Sequence, residues 1–262
     1  MFANEPRCIY AKNQILEAVC QFRFPAILQI ETSVPADFQE AIRQTFPRYE
    51  TRKEQPAPKV TAAPGQPPKV EQQQPVTNHA FLTADGAWRV NLTQGFIALT
   101  STRYTRWEEF ARMLDQPLAH FIRIYKPAYF DRVGLRYVNA FSRKELDLEE
   151  RPWRELIEEK YVGLLADELI PEGSFARCTQ DAELSLPGGC RLKLHTGPGV
   201  VRRGNQTEQE TRFMLDTDFS MSGNVQTSMS AAAMNTLHTH ADSVFRDAIT
   251  DVLHDAMEPQ EV

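Results

Sequence analysis

Between residues 16 and 24 the chain alternates. Leu16, Ala18, Cys20, Phe22 and Phe24 are apolar, while Glu17, Gln21 and Arg23 between them are polar. A period of two marks a strand with one buried face. Past Pro35 the period lengthens. Phe38, Ile42 and Phe46 recur every fourth residue, which predicts a short amphipathic helix over 35–46 opened by the proline. A strand is expected at 48–53. Residues 79–101 read as three short strands, because Asp85-Gly86 and Gln94-Gly95 are turn signals between apolar runs. Residues 104–125 return to helical spacing, with a stripe that includes Trp107, Phe110, Leu114, Leu118 and Phe121. Pro117 is expected to bend or break that helix.

The second half follows the same order. A strand at 130–141, "FDRVGLRYVNAF", puts Arg132 and Arg136 on one face and Leu135, Tyr137, Asn139 and Phe141 on the other. Pro152 opens a short helix, "PWRELIEEKY". Strands are expected at about 174–186, 189–197 and 210–220, with Pro187-Gly188-Gly189 closing the first hairpin. A long helix then fills about 228–256, with Met234, Leu237, Ala241, Val244, Phe245 and Ala248 on its stripe. The pattern predicts an α+β fold: an antiparallel sheet gripping long amphipathic helices, with strand, helix, three strands and helix written twice. The units are 1–128 and 129–262. They form one continuous domain, because no linker separates the first long helix from the strand at 130.

Residues 54–77, "EQPAPKVTAAPGQPPKVEQQQPVT", break this rhythm. The segment is rich in proline and glutamine and has no aromatic residue. Such a stretch buries too little to offset its ordering entropy, and a mobile, partly extended loop is expected there. Composition adds bounds. The net charge is −6 and the pI about 5.6. That argues against nucleic acid as the main partner. Cys8, Cys20, Cys178 and Cys190 form no CxxC pair and read as reduced, packed thiols. With no signal-like start and no apolar run long enough to span a bilayer, a cytoplasmic location without membrane contact is expected.

Several of these segments together resemble a known family. "EAVCQFRFP", "PADFQEAIRQTFPRYE", "DGAWRVNLTQGFIALTSTRYTRWEEF" and "RVGLRYVNAF" are similar to a sporadically distributed family of bacterial and archaeal proteins of about this length. The likeness covers most of the first 142 residues and thins to "FRDAITDVLHDAM" near the end. It implies a single-domain architecture and brings no established activity or catalytic residues. Genes distributed in this way often travel with phage-defence loci, including RNA-guided ones, so the resemblance implies an accessory role by association.

Catalytic signatures are missing from the sequence. No G-x-S-x-G elbow, S-x-x-K, P-loop or G-x-G-x-x-G turn occurs, and no catalytic residue or cofactor is expected. In "LHTHAD", His238 and His240 point about 200° apart on a helix and cannot share an ion. His238 and Asp242, four apart, can share a face, but a chelate needs more ligands, so no metal is expected. Asp216 and Asp218 in "LDTDF" share a strand face, a pattern able to hold Mg²⁺ for phosphoryl transfer. Their predicted neighbours argue for a charge ladder instead. Asp181 and Glu183 on one strand, and Arg191, Lys193 and His195 on the next, match Asp216 and Asp218 in alternating sign. Trp88, Trp107 and Trp153 fall at positions that read as core.

Three functions remain open. The first is a non-enzymatic interaction protein whose partner, another protein, meets Arg132, Arg136, Arg202 and Arg203, with Arg212 following in the same basic stretch. The second is a small-molecule or nucleotide module with a pocket between sheet and long helices, lined by Tyr137 and Asn139. The third is a metal-dependent phosphoryl-transfer enzyme using Asp216 and Asp218.

Overall fold

The computed structural model describes residues 7–55, 58–61, 69–203 and 206–261. The first half of the chain carries β1 (Cys8–Tyr10), β2 (Ile15–Arg23), β3 (Arg48–Glu54), β4 (Lys59–Thr61), β5 (Lys69–Glu71), β6 (Val76–Leu82), β7 (Trp88–Leu92) and β8 (Phe96–Ser101). The second carries β9 (Phe130–Phe141), β10 (Gln180–Ser185), β11 (Cys190–Arg203), β12 (Gln206–Val225) and β13 (Pro259–Glu261). The helices are α1 (Leu28–Thr32), α2 (Ala36–Ile42), α3 (Trp107–Tyr125), α4 (Trp153–Leu156), α5 (Glu159–Val162), α6 (Ser230–Ala248) and α7 (Asp251–Ala256).

Nine strands form one antiparallel sheet in the order β10-β11-β12-β9-β2-β8-β7-β6-β3. Strands from before and after residue 128 meet at its centre, where Cys20 opposes Leu135 and Phe22 opposes Val133. The alternation in the sequence sets the two faces. Ala18, Cys20, Phe22 and Phe24 are buried on one side. On that side α6 packs over β9 and β12, and α3 lies over β8 with α2 against it. Phe22, Phe121, Leu135, Leu215, Phe219 and Leu237 belong to one continuous core. Each such fully buried side chain stabilises the fold by about 1.5–3 kcal/mol. The observed class is the expected α+β, an antiparallel sheet with long helices on it.

Six expectations need correction. Pro117 does not break α3, which runs unbroken from Trp107 to Tyr125. Its stripe is buried on both sides of the proline, and that packing outweighs the roughly 3 kcal/mol of a lost backbone bond. The long helix expected over 228–256 is in fact two. Ile249 is extended and bridges Ile157, and the backbone N–H groups of Glu158 and Thr250 donate to Ala248 and Leu156. Thr250 then caps α7 by accepting from the Leu253 N–H. The helix expected at 152–161 is likewise split into α4 and α5. Finally, the proline-rich stretch is not all loop. Lys59–Thr61 and Lys69–Glu71 pair as an antiparallel ribbon, while residues 56, 57 and 62–68 lie outside the described residues. The hairpin strand expected from 174 begins only at Gln180, and the one expected over 210–220 extends over Gln206–Val225.

Candidate functional site

A pocket of about 310 Å³ opens between the sheet and α6. Its floor comes from two central strands. β9 turns Tyr137 and Asn139 inward, and β12 turns Leu215 and Thr217 inward. Helical spacing brings His238, Asp242 and Phe245 of α6 onto its wall. The remaining sides are built by β1 with Arg7 before it and by the Tyr104–Arg106 segment before α3. Beside the floor, the register of β2 against β9 shifts between Ile15 and Glu17, a bulge of the kind that re-aims side chains near binding sites.

Asn139 is 2% exposed. Its Nδ2 donates to the Leu215 carbonyl at 3.1 Å, and its Oδ1 is buried with no hydrogen-bond partner among the described residues. The carbonyl can only accept, so the amide nitrogen must face it, and Oδ1 of this pocket-lining residue is the atom left unmatched. An orphaned buried acceptor costs about 1–3 kcal/mol, which a donor brought by a ligand would recover.

Around this atom runs a chain of polar contacts. The Tyr137 hydroxyl lies 3.4 Å from that of Tyr104 and 3.3 Å from His238 Nδ1. Trp107 stacks on the imidazole at 4.3 Å with the rings 14° apart. His238 Nε2 is 3.2 Å from Asp242 Oδ2, but no hydrogen bond forms to it among the described residues. Asp242 also meets Arg7 Nε at 3.5 Å. The Arg7 guanidinium is gripped more tightly by Glu108, at 2.5 and 3.2 Å, and Arg106 reaches the same carboxylate at 3.0 Å.

Burial sets the protonation of these groups. It pushes the His238 imidazole down to about 3, helped by the nearby Arg7 charge, so the ring is neutral at pH 7. It lifts the Asp242 carboxyl to about 6, with Arg7 pulling the other way. Burial also raises the Tyr137 and Tyr104 hydroxyls, which stay protonated. The hydrogen bond from Arg7 holds Glu108 far below the ordinary carboxylate range.

The sequence-expected residues separate into two groups. Tyr137 and Asn139 lie together at the pocket. Arg132 and Arg136 lie on the opposite, outer face, where each makes a two-point ion pair. Arg132 meets Asp218 at 2.6 and 2.8 Å, and Arg136 meets Asp216 at 2.7 and 2.5 Å. Gly134 makes room for this. A Cβ there would stand 2.2 Å from the Arg132 guanidinium. Lys193 pairs with Glu183 at 2.9 Å and His195 with Asp181 at 2.8 Å. The alternating ladder therefore spans four strands, and both aspartates of the phosphoryl-transfer reading are tied to arginine. Among the described residues no cluster of three potential metal ligands occurs.

Arg202 is exposed near the end of β11, opposite Thr207. The side chain of Arg203 lies outside the described residues. Arg212 is 6% exposed, held by Glu145 at 2.7 Å, Glu208 at 2.9 Å and Glu210 at 3.7 Å, so it is a buried ion cluster and not a basic surface residue. Trp88, Trp107 and Trp153 are buried as expected.

Sequence reasoning missed Arg7, Tyr104, Glu108 and the pocket role of His238 and Asp242. For the last two a signal existed: a His–Asp pair four apart beside the apolar stripe of α6. Arg7 and Tyr104 come to the pocket from distant segments and carry no local mark.

The fold and this geometry define an α+β chain with an internal, partly polar pocket. Comparison of the chain with models of known families and with curated proteins finds no match. No helix among the described residues is long and apolar enough to cross a membrane.

Proposed function

We propose that this chain is a small-molecule-binding module whose ligand sits between the sheet and α6. One observation carries the reading: a pocket of ligand-binding size has a buried, unpartnered acceptor, Asn139 Oδ1, at its floor. Aromatic walls from Tyr104, Tyr137 and Phe245 supply apolar contact, and Asp242 and His238 supply orientation.

Support for a protein partner on the outer face is thinner. Arg132 and Arg136 spend their donors within the sheet, which leaves exposed Arg202 as the described candidate. An accessory role in defence would then work through the ligand, with the chain sensing a small molecule.

The test is extraction of freshly purified protein, with mass spectrometry of what is released. The expected result is a stoichiometric small molecule in the native chain and its loss in Ala241→Met, which fills the pocket from α6. No released molecule, together with an Ala241→Met variant that only melts higher, sinks the reading.

A further inference from the structure

The polar groups of the pocket say what kind of ligand fits, and this inference rests on the pocket being a ligand site. Every arginine at the pocket is already paired. Arg7 and Arg106 share Glu108, and Arg246 donates to Asp251 at 2.6 Å and to the Ile249 carbonyl at 3.2 Å. Among the described residues, with Asp242 included, the cations Arg7, Arg106 and Arg246 and the carboxylates Glu108, Asp242 and Asp251 sum to zero. An anionic ligand would find no uncommitted cation and would meet an orphaned carbonyl oxygen. A cationic ligand would displace Arg7 or leave an extra positive charge in a balanced cluster.

What the pocket wants is a hydrogen-bond donor. Among the described residues nothing donates to Asn139 Oδ1. Asp242, whose side chain is 38% exposed, stands nearer the mouth. Its neighbours Arg7, at 3.5 Å, and His238, at 3.2 Å, give it no hydrogen bond among the described residues. A carboxylate has room for about four such bonds. Between floor and mouth the walls are aromatic, and the Tyr104 and Tyr137 rings are edge to face at 5.2 Å. Flat π-systems stack or meet such rings edge-on.

We propose that the ligand is a neutral, flat heteroaromatic ring or cyclic amide, of the nucleobase kind, whose N–H edge donates to Asn139 Oδ1 and to the Asp242 carboxylate. The pocket therefore selects for ring N–H groups and not for phosphate or carboxylate.

Titration calorimetry tests this with matched probes: guanosine against 1-methylguanosine, benzimidazole against 1-methylbenzimidazole, and guanosine 5′-monophosphate. At least one parent is expected to bind, with N-methylation weakening it tenfold or more. In Asn139→Leu, parent and methylated probe are expected to bind alike. The 5′-phosphate is expected to give no gain. Equal binding of methylated probes by the native chain overturns the class, as does a tenfold preference for the monophosphate or silence from the whole panel. The pocket itself is judged separately by the extraction experiment. A co-purifying anion would keep the pocket and sink the N–H assignment.

Discussion

The two faces of β9 carry comparable numbers of polar side chains and use them in opposite ways. On the outer face Arg132 and Arg136 each find a carboxylate at two points, and water reaches the pairs. On the inner face Asn139 uses its amide nitrogen as a donor and leaves its buried acceptor unmatched among the described residues. The outer arrangement is closed in charge: each arginine meets one carboxylate within the sheet. The inner one is open by one bond. Abundance of charge first drew attention to the arginines, yet completeness of pairing separates a structural ladder from a candidate site. A buried group left without a partner asks for an explanation in a way that an exposed ion pair does not.

The comparison can be broken from several directions. The largest effect is expected where the outer face becomes buried, at Arg212. Arg212→Met strands three glutamates, and chemical denaturation should report a loss of about 3–5 kcal/mol. A loss below 1 kcal/mol would mean the cluster is solvated and the outer face is uniform. Next comes the inner face. Asn139→Leu should weaken ligand binding by about 1–3 kcal/mol, the worth of the lost acceptor. Its melting temperature should stay close to that of the native chain, because losing the Nδ2 bond to the Leu215 carbonyl is offset by removing an unmatched buried oxygen. Ligand binding that survives intact moves the floor of the pocket elsewhere.

Acid should then set two groups of the pocket against each other by sign. The His238 imidazole is depressed in the folded chain, so its contribution is present above the unfolded value near 6.5 and is lost as pH falls towards about 3. Asp242 is raised, so between the ordinary carboxylate value and about 6 it works in the opposite direction, with the smaller shift and the more exposed group. The melting temperature should therefore drop between pH 6.5 and pH 4.5. His238→Phe, which keeps the stack on Trp107, should flatten that slope. An unchanged slope would place the acid-sensitive group outside the pocket. The smallest effect belongs to the ladder. A double-mutant cycle on Arg136 and Asp216, each replaced by leucine, should give a coupling near 0.5–1 kcal/mol, and ligand affinity should not move.

Much of the frame was legible in the chain. The span of β9, its two faces and the burial of Asn139 follow from alternation alone. So do the turns around Asp85-Gly86 and Gln94-Gly95, because glycine at those positions leaves few other readings; Gly86 adopts a φ of 74°. The interruption at Ile249 was not legible from periodicity. The apolar stripe continues across it, and only the bridge to Ile157, set by tertiary contact, selects an extended residue. "ITDV" nevertheless held a local sign, a threonine cap with an aspartate after it. The site was half legible. Tyr137 and Asn139 belong to one strand and announce themselves by facing inward. Arg7 and Glu108 are 101 residues apart, and no local pattern reports a pairing that only the closed sheet creates.

The interruption at Ile249 has a geometric consequence for the pocket. Had the last helix run straight, Met257 would lie about 14 Å beyond Ala248 along the axis of α6, out past the edge of the sheet. The kink instead folds α7 back, so that His254 meets the Tyr10 hydroxyl at 2.8 Å and Met257 joins the pocket wall. The backbone there binds Ala11 and Lys12, and β13 zips onto β1. Two extended residues, Ile249 and Thr250, thus work as a latch: they turn what would be an open cleft beside a helix into a chamber with a rim.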